Sequence, residues 1–393
     1  PYFVTISNIQ SKDSARVIHG NERVLRARLA DAAFFYEADL AEPLANRLDR
    51  LSGIVYQAKL GSLHDKALRI SKLAAEIAGS LNANAKLAER AGLLAKCDLV
   101  TNMVGEFPEL QGIMGSYYAE KSGEDKAVAA AIGDHYLPRF AGDKLPSAVI
   151  GQSLALADRI DSLVGAFGIN QIPTGDKDPF GLRRAAVGII RILIEGGLAL
   201  DLKPLLQFAA QQYGDIIKNS ETVPHVLNFI QERLRAWYSE QGISADVFAA
   251  VAALQLSVPF DIHARLHAVA AFKKLPAADS LSTANKRVSN ILAKLSADEL
   301  NTTLDAAHFE HASEKALADA LSAKSATVKT LAAKKDYQAV LMQLADLHQP
   351  VDAFFTNVLV MAEDPRQRSN RLAMLKQLRA LFLEVADIAL LQP

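Results

Sequence analysis

Histidine and aspartate residues that could bind a divalent metal are spread over the first half of the chain. They are the adjacent pair His64-Asp65, the lone His135, and Asp158 and Asp161, which lie three residues apart on one predicted helix face. Imidazole and carboxylate ligands suit a divalent cation that activates water for attack on a phosphoester. Each candidate also has a structural interpretation. His64-Asp65 fits a solvent-exposed first turn, His135 fits a structural or surface position, and the aspartates fit pairing with Arg159 or a helix cap.

The order of these residues resembles the all-helical HD phosphohydrolase superfamily. Those enzymes bind a metal through a His on an early helix, a later His-Asp pair and an Asp on a further helix. When the helical sequences are matched to that pattern, the ligand positions fall on Lys66, Ala95 and Lys96, and only Asp158 is retained. Two ammonium groups repel a divalent cation at short range, so the match predicts a helical domain with a degenerate metal site and no metal. Lys66 and Lys96 could instead attract phosphate as point charges; the alternative is two surface lysines.

Composition limits the classes of function that remain. The 393 residues include 43 lysines and arginines against 44 acidic residues, so the net charge is −1 and any nucleic-acid binding must come from local patches. The single cysteine, Cys97, excludes an intrachain disulfide framework and a cysteine-rich zinc site, and it fits a reducing cytoplasm. The sequence contains no P-loop, dinucleotide glycine motif, Cys-x-x-Cys, His-Glu-x-x-His or serine nucleophile elbow. An ATP-using active site is therefore hard to place.

The elements that must position these residues are mostly helices. Alanine and leucine recur while glycine and proline are sparse, which predicts a mostly all-α chain with a short strand at about residues 2–6 of its N-terminal segment. Asp178-Pro179 predicts a helix start, and Gly196-Gly197 predicts the end of that helix. The apolar run 185–202 is interrupted by charged residues, so it predicts a buried helix and not a membrane span. Since the chain begins at Pro1, without methionine, we expect a fragment of a longer protein.

Basic residues are concentrated in two parts of the C-terminal region, residues 265–294 and residues 366–379. In the first part, a helix capped by Ser282 would place Lys286 and Asn290 on one face and Arg287 and Lys294 on another. Arginine and lysine neutralise phosphates, and asparagine or arginine can read exposed base edges. The alternative for each charge is a solvated helix face. A further apolar stripe predicts a core helix near the end of the chain: Leu375, Leu378, Phe382, Val385 and Ala389.

Four sequence runs, in order along the whole chain, resemble the β subunit of bacterial glycyl-tRNA synthetase. They are Gly20–Phe35, Pro173–Ile189, Asn285–Lys294, and Phe354–Ala362 followed by Arg368–Leu372. The resemblance implies that this chain is the C-terminal portion of a β chain, which handles the tRNA, while an α chain binds ATP and glycine and forms the adenylate. It also implies an assembly of two α and two β chains in the cytoplasm, no membrane partner and no cofactor on this chain.

The resemblance implies a division of the chain as well. Residues 1–55 would continue from a missing upstream part, and residues 56–200 would form an HD-like helical domain with a degenerate metal site. Residues 201–257 would form a helical linker. Residues 258–393 would form a helical anticodon-binding domain, related to the one in arginyl-tRNA synthetase.

These inferences select candidate tRNA-binding residues. In the anticodon-binding domain the candidates are Lys286, Arg287, Asn290, Lys294, Arg366, Arg368, Arg371, Lys376 and Arg379. Candidates for contact with the acceptor arm or its phosphates are Lys66, Lys96, Arg183 and Arg184, although the two arginines could instead bridge to loop acids or contact the α chain. No residue is predicted to be catalytic. The hypothesis is a non-catalytic, tRNA-positioning subunit of glycine–tRNA ligase; the alternatives are an HD-type metal-dependent phosphohydrolase and a helical scaffold that binds only protein.

Overall fold

The computed structural model describes residues 2–296 and 303–392, which divide into two compact units. The first unit is formed by Pro1–Ile189 with Leu205–Val223. The second is formed by Ile190–Pro204 with Pro224–Pro393. Each unit is built mainly from helices, so the prediction of a mostly all-α chain is confirmed.

The first part of the chain contributes eight helices and one small sheet to the described residues. The helices are α1 Ser14–Leu40, α2 Leu63–Ser80, α3 Ala85–Leu94, α4 Asn102–Glu106, α5 Ile113–Lys121, α6 Lys126–Asp134, α7 Val149–Gly168 and α8 Leu182–Glu195. Short 3-10 helices lie at Leu44–Gly53, Cys97–Val100 and Pro108–Leu110. Strands β1 (Val55–Gln57) and β2 (Gly61–Ser62) pair antiparallel, with Val55 opposite Ser62.

Helices α2, α3 and α7 pack against one another in the first unit. Gly92 of α3 permits close contact with α2, since a Cβ atom there would overlap the backbone of Ser71. Helix α2 begins at a capping box, in which the Ser62 hydroxyl accepts from the Asp65 N–H and the Asp65 carboxylate accepts from the Ser62 N–H. That cap fixes the first turn of α2, which carries Lys66.

The remaining helices of the described residues follow from residue 202. They are Leu202–Gln212, Thr222–Glu240, Ala245–Ala252, Pro259–Phe272, Ala278–Leu292, Ala312–Ala333, Tyr337–Ala345, His348–Asn357 and Pro365–Leu383. Further 3-10 turns lie at Gly214–Ile216, Ala306–His308 and Ile388–Leu390. The predicted apolar stripe is confirmed as core, because Leu375, Leu378, Phe382 and Val385 are all at most 1% exposed.

Three local predictions are wrong. Residues 2–6 form no strand and their side chains are exposed; among the described residues no strand pairs with them, and an unpaired strand has nothing to bond its backbone. Ser282 does not cap a helix but lies inside the helix Ala278–Leu292, which begins one turn earlier. The helix after Asp178-Pro179 begins at Leu182, although Asp178 does cap it by accepting from the Leu182 and Arg183 N–H groups.

The apolar run 185–202 lies in helix α8 and the turn that follows it. Within the described ranges, no helix is both long enough and apolar enough to cross a bilayer.

Candidate functional site

The degenerate metal positions come together as a buried cluster of ion pairs in the first unit. Lys66 extends from the first turn of α2 toward the two aspartates of α7, with its Nζ 2.9 Å from Asp158 Oδ1 and 3.0 Å from Asp161 Oδ2. Arg69, one turn further along α2, donates from Nε to Asp161 Oδ1 at 2.8 Å. The two aspartates are therefore on one helix face, as predicted, and both are held by side chains of α2.

Lys96 completes the cluster from the end of α3. Its Nζ donates to Asp158 Oδ2 at 3.0 Å and lies 2.9 Å from His135 Nε2. His135 Nδ1 lies 2.6 Å from the carbonyl oxygen of Ile132. A neutral imidazole protonated on Nδ1 satisfies both contacts, since Nδ1–H donates to the carbonyl and Nε2 accepts from the ammonium. Because Lys66 and Lys96 are only 3% and 4% exposed, the interpretation of them as surface lysines is wrong.

The charge states follow from burial and pairing. Burial disfavours the ammonium form of Lys66, but the carboxylates of Asp158 and Asp161 outweigh it and hold the pKa of Lys66 well above its ordinary value. Burial also opposes the charge on Lys96, and Asp158 again raises its pKa. The pKa of Asp158 is held well below its ordinary value, because the two lysines outweigh the effect of burial. Burial and the charge of Lys96 lower the pKa of His135 to about 3.

These residues do not fit the divalent metal that the HD resemblance implies. Both oxygens of Asp158 already face ammonium groups, and the lone pair of His135 Nε2 faces Lys96. A cation placed against Asp158 would stand beside two positive charges in a buried environment, where charge repulsion is large. Among the described residues, no group of three or more His, Cys, Asp or Glu side chains is arranged to hold a metal.

Arg159 does not pair with the aspartates next to it in sequence, so that interpretation is wrong. Its guanidinium donates instead to the backbone carbonyls of residues 135–138, at 2.7–3.1 Å. This contact orients the backbone that carries His135. The other metal candidate, His64-Asp65, lies at the start of α2, where Asp65 belongs to the capping box and His64 is partly exposed.

A cavity of about 470 Å³ lies beside the ion-pair cluster within the first unit. Its lining includes Arg139, Arg159 and Arg184, together with Gln111 and Phe180. Of the arginines predicted for the acceptor arm, Arg184 therefore lines a cavity. Arg183 does not: it donates to the carbonyl oxygen of Gly175 in the preceding loop.

The basic candidates of the helix Ala278–Leu292 lie around a second cavity, in the second unit. This cavity of about 590 Å³ is lined by Thr283, Lys286, Arg287, Asn290, Ile291, Lys294, Leu295 and Met361. The guanidinium of Arg287 stacks over the ring of Phe355, with 4.6 Å between Cζ and the ring centroid. The structure thus brings four predicted tRNA-binding residues together, and it adds Met361 and Phe355, which sequence spacing did not select because they come from a segment about 70 residues away.

The predicted arginine cluster near the C-terminus does not form one surface. Arg366 is exposed in the first turn of the helix Pro365–Leu383, whereas Arg371 is 2% exposed. The Arg371 guanidinium pairs with Glu314 at 2.7 Å and with Glu310 at 2.9 Å, and it donates to the carbonyl oxygen of Leu359. Arg371 therefore holds the fold together, and its geometry gives no support to direct contact with RNA.

The other candidates of that helix have local partners. Arg368 is half-buried and lies 3.4 Å from the carbonyl oxygen of Ala362, and Arg379 pairs with Asp387 at 2.6 Å. Lys376 is exposed. Arg366 and Lys376 are thus the residues of this set with exposed side chains.

Sequence spacing also missed residues that complete the buried cluster. The Tyr213 hydroxyl donates to the carbonyl oxygen of Asp161, and the Arg69 guanidinium stacks over the Tyr213 ring at 4.1 Å. The Lys66 ammonium lies 4.6 Å from the centroid of the Tyr56 ring. An isolated tyrosine carries no sequence signal for such a contact.

Two family models match the chain. The model described as glycyl-tRNA synthetase beta subunit matches residues 1–253. The model described as DALR anticodon binding domain matches residues 281–388, which include the cavity around Asn290.

Curated relatives match the chain over its whole length. A glycine–tRNA ligase beta subunit of Coxiella burnetii (strain RSA 331 / Henzerling II) is 53% identical over 391 residues. Those of Acinetobacter baumannii and Pseudomonas aeruginosa (strain LESB58) are 51% and 50% identical. In each case the alignment covers 100% of this chain and 57% of the relative, so the chain spans little more than half the length of these relatives.

Proposed function

This chain belongs to the glycyl-tRNA synthetase β-subunit family, and from that premise we propose that it is the tRNA-positioning part of a glycine–tRNA ligase. The observation that supports this best is the coincidence of two independent results. The anticodon-binding family model covers residues 281–388, and the same segment holds Lys286, Asn290 and Lys294 around one open cavity. Such a cavity suits the unstacked nucleotides of an RNA loop.

The mechanism that we propose is positional. The second unit would bind the anticodon loop through the cavity around Asn290, and the HD-like domain would contact the acceptor arm. An α subunit would bind ATP and glycine and perform the chemistry, in an assembly of two α and two β chains in the cytoplasm. The contribution of this chain to the rate would be orientation of the tRNA 3′ end, since holding reactants in place removes much of the entropic barrier. Domain boundaries at residues 55, 200 and 257 belong to the same proposal.

Of the acceptor-arm candidates, Arg184 is better placed to contact the tRNA than Lys66 and Lys96. Lys66 and Lys96 are buried and paired with Asp158, so their charges are already compensated. Arg184 lines the neighbouring cavity with Arg139, beside the acidic Glu109 and Asp158, and the two arginine side chains could meet phosphate.

The alternative, a metal-dependent phosphohydrolase, lacks this kind of support. Its retained aspartate, Asp158, is held between two lysine ammonium groups. We propose that no metal binds there and that no residue of this chain is catalytic.

A salt titration of tRNA binding tests the proposal. We expect the chain to bind tRNA-Gly more tightly than a non-cognate tRNA, and the affinity to fall as salt rises. Lys286→Ala and Lys294→Ala should each reduce the slope of log affinity against log salt by about 1. Lys329→Ala, an exposed lysine on another helix, is the matched control and should leave the slope unchanged. Equal affinity for both tRNAs, or a slope unchanged in all three variants, would contradict the proposal.

A further inference from the structure

Helix α1 leaves most of its apolar side chains exposed. Ile18, Leu25 and Leu29 are 52%, 37% and 68% exposed. Their i, i+7, i+11 spacing puts them on one side of the helix, called here the 18–25–29 face. Every residue of the run 22–31 is exposed, and of the 27 residues of α1, all of them described, Asp39 is the buried one. A helix normally buries its apolar stripe against another element, so the described residues do not supply the partner of this face.

The polar and aromatic contacts that hold α1 to the first unit come from its C-terminal half. Arg28 lies 2.6 Å from Glu106 of α4 and is, in the described ranges, the first residue of α1 with an ion pair to another helix. Tyr36 stacks on Tyr118, with 5.9 Å between the ring centroids, and the Asp39 carboxylate accepts from the Tyr118 hydroxyl at 3.1 Å. Since an isolated helix is only marginally stable in water, the N-terminal half calls for a further contact.

Exposed apolar side chains are concentrated in this part of the chain. Of the 24 large hydrophobic side chains that are exposed among the described residues, 11 lie in the short stretch 2–40. Single exposed hydrophobic residues are normal on a protein surface, but a concentration of them marks a site of interaction. Residues 2–40 therefore carry an interaction surface that the rest of the first unit does not share.

We propose that the 18–25–29 face of α1 is the docking surface for the part of the longer β chain that this chain lacks. The relatives give the reason for this occupant: the alignment covers 57% of each, so more than two-fifths of each relative has no counterpart here. A part of the same polypeptide meets the face at a high effective concentration, whereas a separate subunit loses translational and rotational freedom when it binds. The proposal does not depend on tRNA binding.

The same occupant accounts for residues 2–6, whose sequence predicts a strand that the structure does not contain. Tyr2, Val4 and Ile6 alternate along the chain and are each at least 93% exposed. A strand needs a neighbouring strand to bond its backbone and cover one of its faces. In this proposal the docked part of the longer chain supplies that neighbour, so residues 2–6 and the 18–25–29 face are covered together.

The test measures how fast an engineered cysteine reacts with a maleimide. Leu29→Cys is placed in the 393-residue chain, in a full-length β chain that contains this sequence, and in that β chain bound to the α subunit. Cysteines of the added part are changed to serine. Cys97 gives little background, because it is 0% exposed and burial raises the pKa of its thiol to about 12. Arg23→Cys is the matched control, since Arg23 is exposed and lies about 140° around the helix from Ile18.

We expect Leu29→Cys to react at least about tenfold more slowly in the full-length β chain alone than in the 393-residue chain, because reaction then requires the docked surface to open. The rate for Arg23→Cys should change by less than about twofold. A second measurement uses glutamine, which keeps helix propensity. Leu29→Gln should lower the midpoint of thermal unfolding of the full-length chain by about 3 °C or more and leave that of the 393-residue chain unchanged.

The other results would overturn the proposal, each in its own way. If Leu29→Cys is slowed only when the α subunit is bound, the α subunit is the occupant. If it is slowed in the 393-residue chain as protein concentration rises, the occupant is a second copy. If Leu29→Cys and Arg23→Cys are slowed equally, or neither is slowed, the 18–25–29 face is not a docking surface. No arm of the test contains tRNA, so the proposed function would stand in each case.

Discussion

The substitution Asp158→Asn would test the buried ion-pair cluster most directly. Lys66 keeps a carboxylate partner in this variant, because Asp161 Oδ2 lies 3.0 Å from its Nζ. Among the described residues, Lys96 then has no carboxylate partner and keeps only neutral ones, His135 and the ring of Tyr136, whose centroid lies 4.1 Å from its Nζ. Removing one member of a buried ion pair costs about 3–5 kcal/mol. The penalty for the unpaired charge also has an upper bound, the cost of deprotonating Lys96 at pH 7. That cost is about 4.6 kcal/mol, since each pH unit below the ordinary lysine pKa of ~10.4 adds ~1.36 kcal/mol. We therefore expect the free energy of unfolding to fall by about 3–4 kcal/mol.

The pH dependence of that loss gives the sharper result. In the unaltered protein the pKa of Lys96 is raised, so its contribution to stability is complete below the ordinary lysine pKa and is lost as pH rises through the raised value. Without Asp158, burial should depress the pKa of Lys96 in the folded state. The unfolded state then binds more protons than the folded state between the depressed pKa and ~10.4, so stability should rise with pH. The difference in the free energy of unfolding between the variant and the unaltered protein should therefore shrink from pH 7 to pH 10.

Urea unfolding followed by far-ultraviolet circular dichroism would measure this, since the single tryptophan, Trp237, lies in the second unit and does not report on the cluster. Asp49→Asn, with a side chain 99% exposed, is the matched control and should change little. Adding Lys96→Met to Asp158→Asn should recover much of the loss, because it removes the unpaired charge. A loss below about 1 kcal/mol, or one that is the same at every pH and not recovered by the second substitution, would refute the reasoning.

Two further predictions use pairs of matched variants. Arg371→Ala should lower the free energy of unfolding by about 3 kcal/mol or more, because it leaves Glu314, which is 0% exposed, without its partner. Arg366→Ala should change the free energy of unfolding by less than about 0.5 kcal/mol while weakening tRNA binding. The reverse pattern in urea and binding titrations would contradict these assignments. Gly92→Ala should destabilise the chain by about 1–3 kcal/mol, because its Cβ would overlap Ser71 at the contact of α2 and α3. Gly20→Ala, in α1 with no atom within 4 Å of the new Cβ, should stabilise the chain by up to about 1 kcal/mol. Equal effects of the two substitutions in thermal melts would contradict the packing argument.

The sequence predicted the positions in the cluster but not the connections between them. Lys66, Lys96 and Asp158 were found by matching helix patterns, which depend on local spacing. Their pairing depends on how α2, α3 and α7 pack, and the partners are 62 and 92 residues apart in sequence. The contacts that Arg69 and Tyr213 make in the cluster likewise depend on tertiary packing.

Arg371 shows that local sequence also does not predict which charged side chains are buried. Sequence spacing groups Arg371 with Arg366 and Arg368 in one basic cluster. Its partner Glu314 lies 57 residues earlier and buries it, and nothing in the local sequence of either residue indicates this. Part of the lining of the cavity around Asn290 could be predicted. Helix spacing places Lys286, Asn290 and Lys294 together, whereas the contribution of Met361 depends on tertiary packing.

The ion pairs between the two lysines and Asp158 have a consequence for how the first unit is assembled. The charges that join α2, α3 and α7 are all encoded in the chain, in Lys66, Lys96 and Asp158. On the proposal that no metal binds there, closure of this core needs no ion to be delivered after synthesis. A chelator should then leave the core intact, and the supply of metal should not alter the fraction of newly made chains that fold.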